Sequence, residues 1–212
     1  MDKSKLAVDT YEKIAGKYAQ QYFNDLVDVP YIDKFLEKLP SGGKILDIGS
    51  GPGQFAKHMT AKGFKVVGID FSSEMVKIAK EKVPEVNFRQ MDMRHLDFPN
   101  GTFDGLFAAY SLIHIPSEEV VSTLKGFHRV LKTGGYLEIG VQQGEADQII
   151  DEPFMPTEKM FFNFFTLERL AQFLKEAGFQ IISQEIMSIN DAETMSDKVI
   201  YIIASKNDIK KV

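Results

Sequence analysis

Apolar positions recur at two periods along this chain, and the places where the period changes mark its elements. Near the N-terminus, Tyr11, Ile14, Ala15, Tyr18 and Tyr22 fall at i, i+3, i+4, i+7 and i+11, one face of a helix. Pro30 suits the first turn of a second, shorter helix over 31–39, and Pro40-Ser41-Gly42-Gly43 stops it. From Lys44 onward, short apolar runs alternate with helical patterns. Strands are expected over 44–48, 64–70, 86–91, 103–109 and 136–141. Between them lie helices over 54–62, closed by Gly63, over 73–82, capped by Ser72 or Ser73, and over 117–131, ended by Thr133-Gly134-Gly135. Thr166 caps a further helix that ends at Gly178. Two last strand-like runs, 179–189 and 198–205, are joined by the polar loop 190–197 and form an antiparallel pair at one edge.

Near-continuous apolar strands alternating with helices predict a parallel sheet covered on both faces. The expected fold class is α/β: Rossmann-like and doubly wound, with a mostly parallel seven-stranded sheet, an antiparallel edge strand and N-terminal lid helices. No linker-like composition divides the chain, so a single domain over 1–212 is expected. Its parts are the helices of 1–40, a core over 44–141, and a C-terminal helix and strand pair over 166–205. The segment 142–165 lacks clean periodicity and is too long for an ordinary connection, which predicts a lid or acceptor-binding segment. The polar tail 206–212 is expected to fray.

Composition narrows the function. The chain has 212 residues, 44% hydrophobic and 26% charged, as in globular domains. A net charge of −5 with scattered Lys and Arg argues against nucleic acid. With no cysteine there is no disulfide, thiolate nucleophile or Cys-ligated metal, and no histidine pair has metal-ligand spacing, so no metal site is expected. The N-terminal stretch has no signal-like apolar core and no run is long enough to span a bilayer; a cytoplasmic, non-membrane protein is expected.

The candidate chemistry centres on Ile45–Phe55, ILDIGSGPGQF. In an open α/β sheet, ligands bind at the carboxyl ends of the strands, where this loop lies. Its glycines permit close backbone approach, and the next helix turns free N–H groups toward it. The spacing is not that of a dinucleotide loop, since Gln54 stands where the third glycine would be, and no Gly-Lys-Ser/Thr follows for a P-loop. Asp47 would repel a phosphate and favour an ammonium group.

Asp47-Ile48-Gly49-Ser50-Gly51-Pro52-Gly53 resembles the glycine-rich signature of class I S-adenosylmethionine-dependent methyltransferases. Gly68-Ile69-Asp70-Phe71-Ser72, Gln90-Met91-Asp92-Met93, Phe103–Tyr110 and Arg129–Leu137 resemble that family's later strand ends, in order, over 44–141. The segment from Tyr11 to Tyr18 and the run from Phe165 to Phe179 resemble its small-molecule members. The resemblance implies S-adenosylmethionine as cofactor, S-adenosylhomocysteine as product, and transfer of a methyl group to a small-molecule acceptor by in-line displacement. It implies cofactor binding by Tyr18, Asp47, Gly49, Ser50, Gly51, Gly53, Asp70, Phe71, Asp92, Met93 and Ala109. Asp70 would hold the ribose hydroxyls and Asp92 the adenine amino group. His114 and Tyr110 are the catalytic candidates.

Alternatives stay open at this point: a non-catalytic or regulatory cofactor-binding protein, or an NAD(P)-dependent oxidoreductase. The acceptor, the atom methylated and the choice between monomer and homodimer are not set by these residues. Asp70 also suits capping of the Ser72 helix, and Asp104, on the opposite rim, suits a structural role. The five phenylalanines 154, 161, 162, 164 and 165 suit a packed lid or an acceptor wall. Glu145, Asp147, Asp151 and Glu152 suit a solvated face. Glu138, a charge inside a central strand, suits either a pairing with a helix or the pocket.

Overall fold

The structure is a computed structural model that describes residues 3–25, 27–188 and 198–207. The expected loop 190–197 and the positions 208–212 of the expected fraying tail lie outside the described residues.

The chain opens with α1 (Lys3–Tyr22) and α2 (Val29–Leu36), with proline in the first turn of α2. The βα alternation then runs β1 (Lys44–Ile48), α3 (Gln54–Ala61), β2 (Lys65–Asp70), α4 (Ser73–Lys82), β3 (Asn87–Gln90) and β4 (Phe103–Ala109). A 3₁₀ turn (Leu112–His114), α5 (Ser117–Val130) and β5 (Leu131–Gln142) follow. The C-terminal part holds β6 (Asp147–Glu152), β7 (Met155–Asn163), α6 (Leu167–Glu176), β8 (Gln180–Ser188) and β9 (Lys198–Ser205).

Seven strands form one sheet in the order β3-β2-β1-β4-β5-β9-β8. β1 to β5 pair in parallel; β9 runs antiparallel to both β5 and β8. The single reversed strand is thus β9, one position in from the edge, and β8 is the edge itself. Strand order reverses between β1 and β4, which puts the tips of those two strands on either side of a crevice.

Alternation along the strands sorts side chains to two cores. Leu46, Ile48, Leu106, Leu137 and Ile139 face α5, α6 and the β6–β7 pair. Ile45, Phe107 and Ile203 face α2, α3 and α4 through Phe35, Met59 and Val76. The caps lie where the sequence predicts them. Ser72 Oγ accepts from the Met75 amide at 3.2 Å, and Thr166 Oγ1 from Arg169 at 3.2 Å. Gly63 and Gly178 follow their helices with φ of +90° and +94°. Asp104 is structural: it accepts from the Lys44 amide at 2.8 Å and from Lys132 Nζ at 2.7 Å.

Two expectations need correction. The segment 142–165 is not an irregular loop, because β6 and β7 pair antiparallel as a separate two-stranded sheet. It lacks a two-residue period because the last four residues of β7, Met160 to Asn163, are all buried. That end is covered on both faces, by α1 and by the large core. Phe161, Phe162, Phe164 and Phe165 are core residues. The acidic face is also broken: Glu152 is buried and accepts from the Met155 amide at 2.7 Å.

Candidate active site

The glycine loop takes its shape from backbone demands. The Gly49 and Ser50 amides both donate to Ile69 O, at 2.8 and 2.9 Å, which hooks the loop onto β2. Gly49 has φ +71°, and a Cβ there would stand 2.3 Å from Ser111 Cβ, so only glycine fits. Gly53 has φ +92°, and its missing Cβ makes room for the Phe88 ring at 2.9 Å. Its role is to seat α3 against the sheet.

Asp70, at the tip of β2, ties the loop to the next helix. Its Oδ2 accepts from the Gly51 amide at 2.9 Å and its Oδ1 from Ser72 at 2.8 Å. Asp70 thus braces the start of α4 and also lines the cleft. Burial raises its pKa to about 6, opposed by those amide bonds. Asp47 is 1% exposed, and its Oδ2 has no hydrogen-bond partner among the described residues. Burial, then the charge of Asp70, raises it to about 8.

The loop opens into a cleft of about 790 Å³, partly open to solvent, at the tips of β1, β2 and β4. Of the predicted cofactor residues, Tyr18, Gly49, Gly51, Asp70, Phe71, Asp92, Met93 and Ala109 line it, with His114 and Tyr110. Asp47, Ser50 and Gly53 do not. Asp92 reaches the cleft with its charge already engaged: Arg94 Nε and Nη2 donate to its Oδ2 at 2.9 and 2.7 Å. Of the three strand-tip acids, Asp47 is thus a buried support, Asp92 an ion-paired wall and Asp70 a carboxylate facing the cleft.

Beyond Tyr18 on α1 and Tyr110 and His114 after β4, sequence reasoning singled out no other cleft residue of these two segments. Ser4, Ala7, Val8 and Tyr11 line the cleft along one helix face. Tyr11 and Tyr18 stack edge to face at 5.7 Å, and Tyr18 meets Tyr22 at 4.7 Å, as the tyrosine spacing implies. Ser111 and Gln54 also face in, and Ser111 Oγ and Gln54 Oε1 are buried without a partner among the described residues. The only signal for them was position, next to the loop or the tip of β4.

His114 sits where the 3₁₀ turn meets α1 and β7. Its Nδ1 lies 3.0 Å from Phe161 O and its Nε2 3.0 Å from Tyr11 Oη. A carbonyl only accepts, so Nδ1 carries the proton and Nε2 accepts from the Tyr11 hydroxyl. Burial lowers its pKa to about 4, so the ring is neutral at pH 7. The Tyr110 hydroxyl, expected as a catalytic candidate, is instead turned away, donating to Asp28 Oδ1 at 2.9 Å beside Tyr201. Tyr110 has φ +55°, the only non-glycine residue with positive φ among those described. Glu138 does not line the cleft; it is buried, and its Oε2 has no partner among the described residues.

Residues 45–135 match the methyltransferase-domain family. The phosphatidylethanolamine N-methyltransferase of Cereibacter sphaeroides is 40% identical over 105 residues, 46% of this chain and 50% of that protein. The chain spans about half the length of the curated relatives it matches. Among solved structures, the 1,6-didemethyltoxoflavin-N1-methyltransferase of Burkholderia thailandensis superposes with a TM-score of 0.76 at 18% identity, over 96% of this chain and 88% of that one. The magnesium protoporphyrin IX methyltransferase of Synechocystis gives 0.75 at 16% identity, over 98% of both chains. At such identities the superpositions speak for the fold; the domain match and the ordered strand-tip motifs speak for descent. Over residues 45–135 the chain carries a methyltransferase domain similar to those of S-adenosylmethionine-dependent methyltransferases.

Proposed function

We propose that the chain binds S-adenosylmethionine in the cleft at the strand tips and methylates a small-molecule acceptor. The observation that carries this is the convergence, in one cleft, of the glycine loop, the Asp70 carboxylate and two orphaned polar atoms, Ser111 Oγ and Gln54 Oε1. Buried polar atoms without partners are costly, so a ligand with matching groups is favoured there.

The residues fit such a cofactor. Gly49, Gly51, Ser111 and Gln54 suit its amino-acid end, Asp70 two vicinal hydroxyls, and Phe71, Met91 and Met93 the flat face of a base. A polyphosphate would meet Asp70 and Asp92 and, among the described residues lining the cleft, no Lys or Arg; this disfavours a dinucleotide. When bound, the cofactor supplies an electrophilic methyl carbon on a cationic sulfur. The chain's part is then to align and enclose, which can contribute several kcal/mol. α1 is held over the cleft by Glu12, which accepts from the Ser73 amide at 2.5 Å, and by Thr10 Oγ1, which donates to Lys159 O at 3.0 Å. His114 and Tyr11 stand in the wall that α1 closes; Tyr110 shapes that wall.

Titration calorimetry with S-adenosylhomocysteine tests this. Binding at micromolar concentrations is expected, and Asp70→Ala should weaken it about tenfold or more, the cost of removing hydrogen bonds to a charged acceptor. No heat from either S-adenosylmethionine or S-adenosylhomocysteine would overturn the proposal.

A further inference from the structure

The cleft bears a charge and hydrogen-bond pattern that selects its acceptor. Its two ionisable carboxyl side chains are Asp70 and Asp92, and among the described residues that line it there is no lysine or arginine. Asp92 is held by Arg94, so an anionic acceptor would enter against the Asp70 carboxylate, with no lysine or arginine among the described lining residues to receive it. On the α1 side the cleft is lined by Ser4, Tyr11 and Tyr18, and the protons of Ser4, given to His114 O at 2.8 Å, and of Tyr11 are already committed. Phe161 O takes the Nδ1 proton of His114, so Nε2 takes the Tyr11 proton, and Tyr11 Oη offers only lone pairs to the cleft. The partner it suits is an N–H or O–H donor, and a cationic or neutral one.

The same dyad is a poor proton acceptor. The imidazole is buried, which holds its basicity far below that of a free histidine, and Tyr11 is pushed well above its ordinary value by burial, then by Tyr18 and Asp70. An alcohol would have to lose its proton as it attacks, and neither member of this dyad receives it. An amine does not: its lone pair forms the N–C bond while the C–S bond breaks and leaves its pair on sulfur. The resulting ammonium releases its proton to solvent afterwards.

We infer that the acceptor is an amine, neutral when it attacks, oriented by donating an N–H to Tyr11 Oη, with His114 as the positioning residue that keeps that oxygen's lone pairs turned inward. This deepens the proposed function and rests on it. Apolar walls from Val8, Phe55, Met75 and Ile115 favour an amine carried on an apolar or aromatic body.

The test uses binding rather than turnover. Sinefungin is a cofactor analogue with an amine-bearing carbon in place of the methyl-bearing sulfur. Its affinity and that of S-adenosylhomocysteine are measured by calorimetry on the wild type, Tyr11→Phe and His114→Phe. Tyr11→Phe should lower the preference for sinefungin over S-adenosylhomocysteine about tenfold, the effect of one hydrogen bond from a charged donor. His114→Phe should lower it too, because the Tyr11 proton is then released toward the cleft. Retained binding of S-adenosylhomocysteine reports that each variant is folded. An unchanged preference in Tyr11→Phe overturns the inference and leaves the proposed function standing. Failure of the wild type to bind S-adenosylhomocysteine overturns both.

Discussion

At the scale of single residues, the site is built from groups whose ordinary chemistry has been moved by burial. Burial pushes the Asp70 carboxyl up to about 6 and that of Asp47 up to about 8, with Glu12 raising Asp70 and Asp70 raising Asp47 further. A ligand with a cationic end favours their ionised forms. Binding should therefore release protons, and affinity should climb as pH rises from about 5 to about 8, then level off above the free-protein values. Calorimetry in two buffers of different ionisation enthalpy measures that proton count directly; uptake instead of release would refute the assignment. His114 has the opposite sign. Its pKa falls from the ordinary 6.5 to about 4, so the stability of the neutral, bonded ring is full above 6.5 and is lost as pH drops toward 4. The acid limb of a melting-temperature profile should flatten in His114→Phe. Gly49 makes the sharpest steric prediction. Gly49→Ala would strain a left-handed backbone and push Cβ to 2.3 Å from Ser111 Cβ, costing about 1–3 kcal/mol from the backbone alone. A lower melting temperature together with loss of cofactor binding should follow. Much of this level was legible, because glycine spacing and an acid at a strand tip are local properties. The partners were not. Asp92 meets Arg94, two residues away, by a turn that no pattern announces, and Tyr11 meets His114 across 103 positions of sequence.

At the scale of elements, caps and breakers did most of the specifying. Ser72, Thr166, Gly63 and Gly178 bound their helices as their chemistry requires, because a cap is satisfied within one turn of chain. The β6–β7 hairpin escaped notice for a physical reason: its buried end packs on both faces, so alternation fails just where the strand is most regular. Helix α1 combines both situations. Its tyrosine face and its place as a lid were readable, but its ties were not: Glu12 reaches the start of α4 and Lys13 reaches Glu158 on the hairpin, at 2.6 Å. If α1 must lift for ligand to leave, its ties set the exit rate. Glu12→Ala removes the partner of both the Ser73 amide and its hydroxyl. S-adenosylhomocysteine should then dissociate several-fold faster in stopped-flow displacement, in line with about 1 kcal/mol for an exposed charge-assisted tie. An unaltered off-rate would mean that α1 does not gate the cleft.

At the scale of the whole molecule, the sheet's order explains where the site lies and why its far side is quiet. The crevice between β1 and β4 collects the loop after β1, the tip of β2 and the turn after β4, while α1, backed by β7, closes it from the other side. Beyond β5, the strands serve the frame. β9 buries seven of its eight residues between β5 and β8. Its register with β5 runs without interruption from Tyr136–Ser205 to Gln142–Val199. That the last two strands pair was legible from their apolar runs. That the later one inserts between β5 and the earlier one was not, because order within a sheet is decided by distant contacts.

The placement of β9 has a bearing on how the protein comes into being. A ribosome delivers every other strand first, so the nascent sheet waits with an open slot beside β5 and with β8 unable to dock. Until the final ladder zips in, two unprotected backbone rims face the crowded cell, an invitation to mispairing or to a chaperone.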